Sequence, residues 1–274
     1  MEDLRSRRFW RCVLAEVLGT FVFVSVVLGS SCPGPGLAAP PPLLQGALAA
    51  GFSAVGLIHC FGGISGAQVN PAITMAFLCT RKLDLLHAVA YMLAQCLGAT
   101  LASGMFYFAV PLATSTQFVT KVSSDGNAGQ ALGLEVFSTF QLAFTIFAVE
   151  DHQRREMAET GPLAIGFSLT AGALAAGKFS GGSMNPARSV GPALITGIWE
   201  HHWVYWIGPM LGAVLAGVSY EFFFASSASR EKLVACITCK DIEIVETVSM
   251  SRSSLSTATQ TAMRAKQASK HDNR

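Results

Sequence analysis

The chain has 274 residues, of which 51% are hydrophobic and only 13% are charged. Soluble domains carry about 25% charged residues, so this composition excludes an ordinary soluble protein. The formal net charge of +2 gives no sign of a nucleic-acid partner, and the 26 glycines are typical of closely packed membrane helices.

Six apolar stretches are long enough to cross a bilayer, which needs roughly 20 helical residues. We place them at about 10–31, 43–62, 83–109, 132–150, 161–178 and 202–224. Two shorter apolar segments, at about 71–79 and 186–197, are interpreted as half-helices that enter the membrane from opposite faces. The predicted fold is an all-α membrane protein with six transmembrane helices and two re-entrant half-helices.

The domain organisation follows from the same pattern. A membrane domain at 10–224 comprises repeat one, at about 10–109, and repeat two, at about 132–224. The flanking regions are a cytoplasmic N-terminus, 1–9, and a largely disordered cytoplasmic tail, 225–274. Both termini are placed in the cytoplasm because basic residues cluster before the first span, in two alternate loops and in the tail.

The tail contains a Cys-x-x-Cys pair, Cys236 and Cys239. One such pair without a second pair or a histidine cluster is a weak metal signal. We therefore predict no metal site and no cofactor, and leave the role of this pair open.

Two copies of Asn-Pro-Ala lie 115 positions apart, at Asn70-Pro71-Ala72 and Asn185-Pro186-Ala187. The halves also align at Glu16 and Glu135, which are 119 positions apart, and at a Leu-Gly-Ala sequence that recurs after 114 positions. Each half has three spans, so the second half is inverted in the membrane. Inverted repeats with broken helices place their site near the bilayer midplane.

Asn-Pro-Ala is a helix-start pattern. Asparagine caps a helix, proline fits its first turn, and alanine allows close packing. Two half-helices would then point their positive ends at one place, and each Asn would have an NH₂ group free to face a cavity. The preceding loops would offer backbone carbonyls. This arrangement suits a small, neutral, polar molecule and opposes cations.

Glu16 and Glu135 lie inside predicted spans, where ionisable groups are candidate functional residues. A structural role is favoured, in which each carboxylate accepts hydrogen bonds from the N–H groups of a re-entrant loop. The alternative is a proton relay. Gln95 and Gln141 are expected to support the loops in a similar way.

The sequence resembles the aquaporins, and within them the vertebrate water-channel branch. The resemblance covers about residues 9–224 and rests on Ile64-Ser65-Gly66-Ala67, the two tripeptides, Gly182-Ser183-Met184 and Arg188-Ser189 beside the second, and Tyr205-Trp206-Ile207-Gly208-Pro209. It implies a right-handed bundle that forms a homotetramer with one pore per subunit. It also implies a channel rather than an enzyme, in the plasma membrane. Ser189, Ala193, Tyr205 and Trp206 match water-type members at positions that distinguish them from glycerol-type members.

The resemblance also implies a selectivity filter, and there this chain departs from its relatives. Arg188 matches the family arginine, while ungapped alignment places Ala50, Ala173 and Gly182 where water-selective members usually carry Phe, His, and Cys or Ala. Because a buried aromatic ring covers about 150–250 Å², small residues predict a wider filter. We expect water to pass, and with it urea, glycerol, ammonia or hydrogen peroxide.

Three alternatives remain at this stage. A nearby side chain could refill the filter, the candidates being Phe52, His59 and Lys178. The protein could instead be mainly a structural, membrane-contact tetramer with low permeability. A coupled transporter would need a titrating residue along its path, and only the two intramembrane glutamates compete for that role.

Overall fold

The computed structural model describes residues 3–33, 40–151 and 159–238. Within these ranges every regular element is helical, and a short 3₁₀ turn, Asp3–Arg5, precedes the first α-helix. The α-helices are α1 (Arg7–Ser31), α2 (Leu43–Ser65), α3 (Pro71–Cys79), α4 (Leu85–Ala109), α5 (Leu112–Ser115), α6 (Ala128–Val149), α7 (Gly161–Ser180), α8 (Pro186–Thr196), α9 (Val204–Ser219) and α10 (Arg230–Ile237).

Six helices of the described ranges are long and apolar enough to cross a membrane. They are Arg7–Ser31, Leu43–Ser65, Leu85–Ala109, Ala128–Val149, Gly161–Ser180 and Val204–Phe224. The predicted all-α fold is thereby confirmed, with each end within about one helical turn of its predicted position. The largest difference is at the start of α6, where Asn127 and Gln130 form a reciprocal capping box that the hydrophobic pattern does not reveal.

The half-helices α3 and α8 begin at the proline of each tripeptide. The Asn70 side-chain oxygen accepts from the Ala72 N–H at 2.9 Å, and Asn185 makes the same contact with Ala187 at 2.9 Å. The two half-helices pack against full helices of the other repeat, α3 against α9 and α8 against α4. Each tripeptide is therefore held by both halves of the chain.

Glycines bring the two repeats into close contact. A Cβ atom built on Gly51 would lie 2.5 Å from the Gly166 carbonyl oxygen, and one built on Gly166 would lie 2.7 Å from that of Gly51. These two residues are 115 positions apart, the spacing of the tripeptides. Equivalent glycines of the two repeats are therefore in contact where α2 crosses α7, and only glycine allows the backbones to come this close.

The chain divides into two compact units, Met1–Tyr220 and Glu221–Arg274. In the second unit, Ser229 caps α10 by accepting from the Lys232 N–H, and Lys232 forms an ion pair with Glu221. Cys236 lies in the last turn of this helix. Cys239, the other cysteine of the Cys-x-x-Cys sequence, lies outside the described residues.

Candidate functional site

The loop before each tripeptide adopts backbone conformations that L-residues rarely take. Repeat one has positive φ at Gly66 (89°), Ala67 (48°) and Val69 (43°); repeat two has it at Gly181 (86°), Gly182 (61°) and Met184 (51°). Each pair is 115 positions apart. Such strain persists only where the surroundings fix the backbone.

Two buried glutamates fix these loops. Glu16 accepts from the N–H groups of Gln68 and Val69 at 3.0 and 2.7 Å and from the Ser65 hydroxyl at 2.6 Å. The carboxylate is fully buried, so these donors replace the water that it lacks. Backbone amides that would be unpaired in a membrane interior are satisfied at the same time.

Glu135 repeats this arrangement in the second half. It accepts from the N–H groups of Ser183 and Met184 at 2.8 and 2.7 Å and from the Ser180 hydroxyl at 2.7 Å. This carboxylate is also fully buried. These contacts favour the structural interpretation of both glutamates over a relay, because each is saturated by donors from its own repeat.

The two glutamines predicted to act alike behave differently. Gln95 donates to Glu16 at 2.8 Å and to the Thr74 hydroxyl at 3.0 Å, so it extends the first loop's support. Gln141 instead donates to the Ser168 carbonyl at 2.7 Å and joins α6 to α7. The expectation for Gln141 was wrong because its position on α6 faces α7 rather than the loop.

The asparagines bind each other's repeat. The Asn70 amide donates to the Met184 carbonyl at 2.9 Å, and the Asn185 amide donates to the Val69 carbonyl at 2.8 Å. One of the two N–H groups on each amide is therefore committed to the protein, and one remains available to a passing molecule. The last carbonyl of each loop, that of Val69 or Met184, already accepts a hydrogen bond from an asparagine. Fewer loop carbonyls than predicted therefore remain free to accept from a passing molecule.

Two cavities meet at this point. The first, the Asn vestibule, has a volume of about 270 Å³ and is lined by both asparagines together with apolar side chains of α2, α6 and α7. The second, the Arg vestibule, has a volume of about 390 Å³ and is lined by Arg188. Phe23 and Leu169 line both cavities, so the two vestibules are adjacent.

The four predicted filter residues come together in the Arg vestibule. Ala50 from α2, Ala173 from α7 and Gly182 from the second loop line the same cavity as Arg188. The three candidates for refilling it, Phe52, His59 and Lys178, are exposed and are absent from its lining. Phe23 supplies the aromatic ring among the described residues that line this cavity.

One contact in the Arg vestibule involves a residue that no sequence motif marks. The Arg188 guanidinium donates through Nη1 to the hydroxyl of Thr120, which lies in the loop before α6. Thr120 is 68 positions away from Arg188 and belongs to no recognisable motif.

The described ranges contain no group of three or more His, Cys, Asp or Glu that could bind a metal ion.

Comparison with known proteins agrees with this geometry. The family model described as "Major intrinsic protein" matches residues 3–220. The chain belongs to the major intrinsic protein family. Aquaporin-4 of Homo sapiens is 45% identical over 222 residues, covering 80% of this chain and 69% of the relative. Lens fiber major intrinsic protein of Oryctolagus cuniculus is 42% identical over 225 residues, covering 81% of this chain and 84% of the relative.

A solved structure supports the fold independently. The aquaglyceroporin from Plasmodium falciparum matches with a TM-score of 0.70 over 77% of this chain and 95% of that chain, at 21% identity. Family membership and the six apolar helices make this a multi-pass membrane protein, and the family and its relatives support a water channel.

Proposed function

We propose that the chain is a passive water channel whose filter is wide enough for small neutral solutes. Water enters through one vestibule, passes the two asparagines and leaves through the other. Urea and glycerol are the main solutes that we propose it conducts, and the smaller ammonia and hydrogen peroxide are proposed to pass as well. No solute is coupled to an ion, because both buried glutamates are occupied by the loops.

The observation that carries this proposal is the wall of the Arg vestibule. Ala50 and Ala173 end in methyl groups, and Gly182 has no side chain. A solute larger than water therefore meets the Arg188 guanidinium beside the small apolar side chains of Ala50 and Ala173. An alcohol or urea can accept from the guanidinium while its remaining atoms lie against the alanines.

Ion exclusion is supported by charges that do not depend on filter width. Arg188 presents a fixed positive charge in the Arg vestibule. The α3 and α8 N-termini add positive dipole ends near the asparagines. Each asparagine's second N–H favours an oxygen acceptor over a cation. A wide filter therefore admits larger neutral solutes without admitting sodium or hydronium.

Stopped-flow light scattering of proteoliposomes tests the proposal. The wild-type protein is expected to raise water permeability and urea or glycerol permeability above protein-free vesicles. Water permeability alone would limit the function to water. If neither the water permeability nor the solute permeability rises, the structural, membrane-contact tetramer is favoured instead.

We also propose a placement in the membrane. Both termini face the cytoplasm, and the Arg vestibule opens on the opposite side of a plasma membrane. The basic residues Arg81 and Lys82 between α3 and α4 support this orientation. The subunits are proposed to form a homotetramer with one path in each subunit. Crosslinking in native membranes tests this, and the largest crosslinked species is expected to contain four subunits.

A further inference from the structure

Thr120 is held firmly although it belongs to a loop. Phe118, two residues earlier, is buried against Phe106, with ring centroids 5.9 Å apart. Three residues later, the Ser123 N–H donates to the Phe179 carbonyl at 2.8 Å. A Cβ atom built on Gly181 would lie 2.6 Å from Thr120 Cγ2, so the loop packs directly on the second re-entrant loop. Thr120 itself is 5% exposed.

Three buried hydroxyls form a continuous chain beginning at Thr120. The Thr120 and Ser189 oxygens are 2.9 Å apart, and those of Ser189 and Ser183 are 2.6 Å apart. With Ser189 donating to Thr120, Ser183 can donate to Ser189, and Ser183 Oγ itself accepts from the Asn185 N–H at 3.4 Å. The chain therefore joins the Arg188 guanidinium to the backbone of the second Asn-Pro-Ala motif. Neighbouring bonds in such chains polarise and strengthen one another.

Arg188 depends on this chain because Ala50, Ala173 and Gly182, its other filter neighbours, have no polar side chain. Ala50 and Ala173 have only methyl groups, and the bond to Thr120 is the one that the guanidinium makes to the described residues. An arginine side chain with several rotatable bonds would otherwise occupy many positions in a cavity of about 390 Å³. Its position would then no longer define the opening.

We infer that Thr120 is a positioning residue for selectivity: its hydroxyl, supported by Ser189 and Ser183, holds Arg188 at the wall of the wide filter. The filter thus has a fifth contributor, supplied by the loop before α6. This inference rests on the proposed function, since it assigns the size and charge limits of that path to the Thr120–Arg188 bond. Water passage itself does not require the bond.

Removing the hydroxyl at constant size gives the sharpest test. Thr120→Val is expected to change the ratio of urea to water permeability, and to raise sodium conductance, by about threefold to tenfold, the factor that corresponds to one lost hydrogen bond. Thr120→Ser, which restores a hydroxyl, is expected to return both quantities towards wild type. Ser189→Ala interrupts the chain one step further on and is expected to act in the same direction.

A cycle with Arg188→Ala decides whether Thr120 acts through the arginine. In that background Thr120→Val is expected to have no further effect. Thr145→Val, which removes a partly buried hydroxyl between α6 and α7 away from both vestibules, is the control for loss of an interhelical hydrogen bond.

The outcomes separate this inference from the proposed function. Wild-type values in Thr120→Val and Ser189→Ala would overturn the inference, as would an equal effect with and without Arg188. If Thr120→Val does not fold, Ser189→Ala alone decides. If the wild-type protein passes no urea, the wide filter is refuted, and sodium conductance still tests the role of Thr120.

Discussion

Asn185 donates from its side-chain amide to the Val69 carbonyl, 2.8 Å away, across the boundary between the two repeats. In the opposite direction, the Asn70 side-chain amide donates to the Met184 carbonyl at 2.9 Å. Each asparagine also caps its own half-helix with its side-chain oxygen. The motif therefore joins the repeats as well as facing the path.

Exchanging an asparagine for aspartate tests this double role. In Asn70→Asp the carboxylate still caps α3, but it cannot donate to Met184 and places negative charge against a carbonyl oxygen. We expect a loss of about 1–3 kcal/mol in the free energy of unfolding, together with increased cation conductance. Asn127→Asp is the matched control, because Asn127 caps the exposed start of α6. Equal effects at the two positions would contradict the cross-repeat bond.

Removal of a loop-supporting glutamate should cost stability. Glu135→Ala leaves the N–H groups of Ser183 and Met184 buried and unpaired, at about 1–3 kcal/mol each. We expect a lower unfolding temperature in detergent and loss of water permeability. Glu200→Ala, at an exposed position, is expected to unfold like wild type. A Glu135→Ala channel of normal stability and permeability would show that the loop holds itself.

A glycine pair separates close packing from general glycine effects. In Gly212→Ala the new Cβ would lie 2.3 Å from the Val136 carbonyl oxygen, so α9 must move away from α6. In Gly56→Ala nothing lies within 4 Å of the new atom. We expect Gly212→Ala to lower the unfolding temperature and Gly56→Ala to keep or raise it, since alanine favours a helix by about 0.5–1 kcal/mol. The reverse order would refute the packing of α6 on α9.

Much of this architecture could be predicted from sequence because its signals are local. Hydrophobic runs predict the spans, and Asn-Pro-Ala predicts the starts of α3 and α8 by capping chemistry alone. Glu16 and Glu135 were identifiable because a carboxylate in an apolar span needs donors, which re-entrant loops supply.

What escaped prediction depends on contacts distant in sequence. Periodicity does not reveal that the Asn70 side-chain amide donates one N–H to the Met184 carbonyl, since either N–H could face the path. Thr120 was missed because an irregular loop determines its position, fixed by Phe118 and Gly181 rather than by a repeating pattern. Gln141 was misassigned because its face of α6 follows from the packing of α7.

Thiol chemistry can establish which wall lines the Arg vestibule. Ala173→Cys places a sulfur in this cavity, and we expect mercury to block its water permeability reversibly on addition of a thiol. Ala175→Cys, two residues along α7 at an exposed position, is the control and should be unaffected. Block of Ala175→Cys but not of Ala173→Cys would mean that α7 faces the path differently.

The central claim is that three small residues around Arg188 set the size limit of the path. The most direct measurement is the ratio of urea to water permeability in wild type and in the double variant Ala50→Phe/Ala173→His, compared by stopped flow at equal protein content. Filling the wall with two rings should lower this ratio by about tenfold or more, the factor equivalent to about 1.4 kcal/mol, while water still passes. An unchanged ratio in a folded, water-permeable double variant would contradict the account.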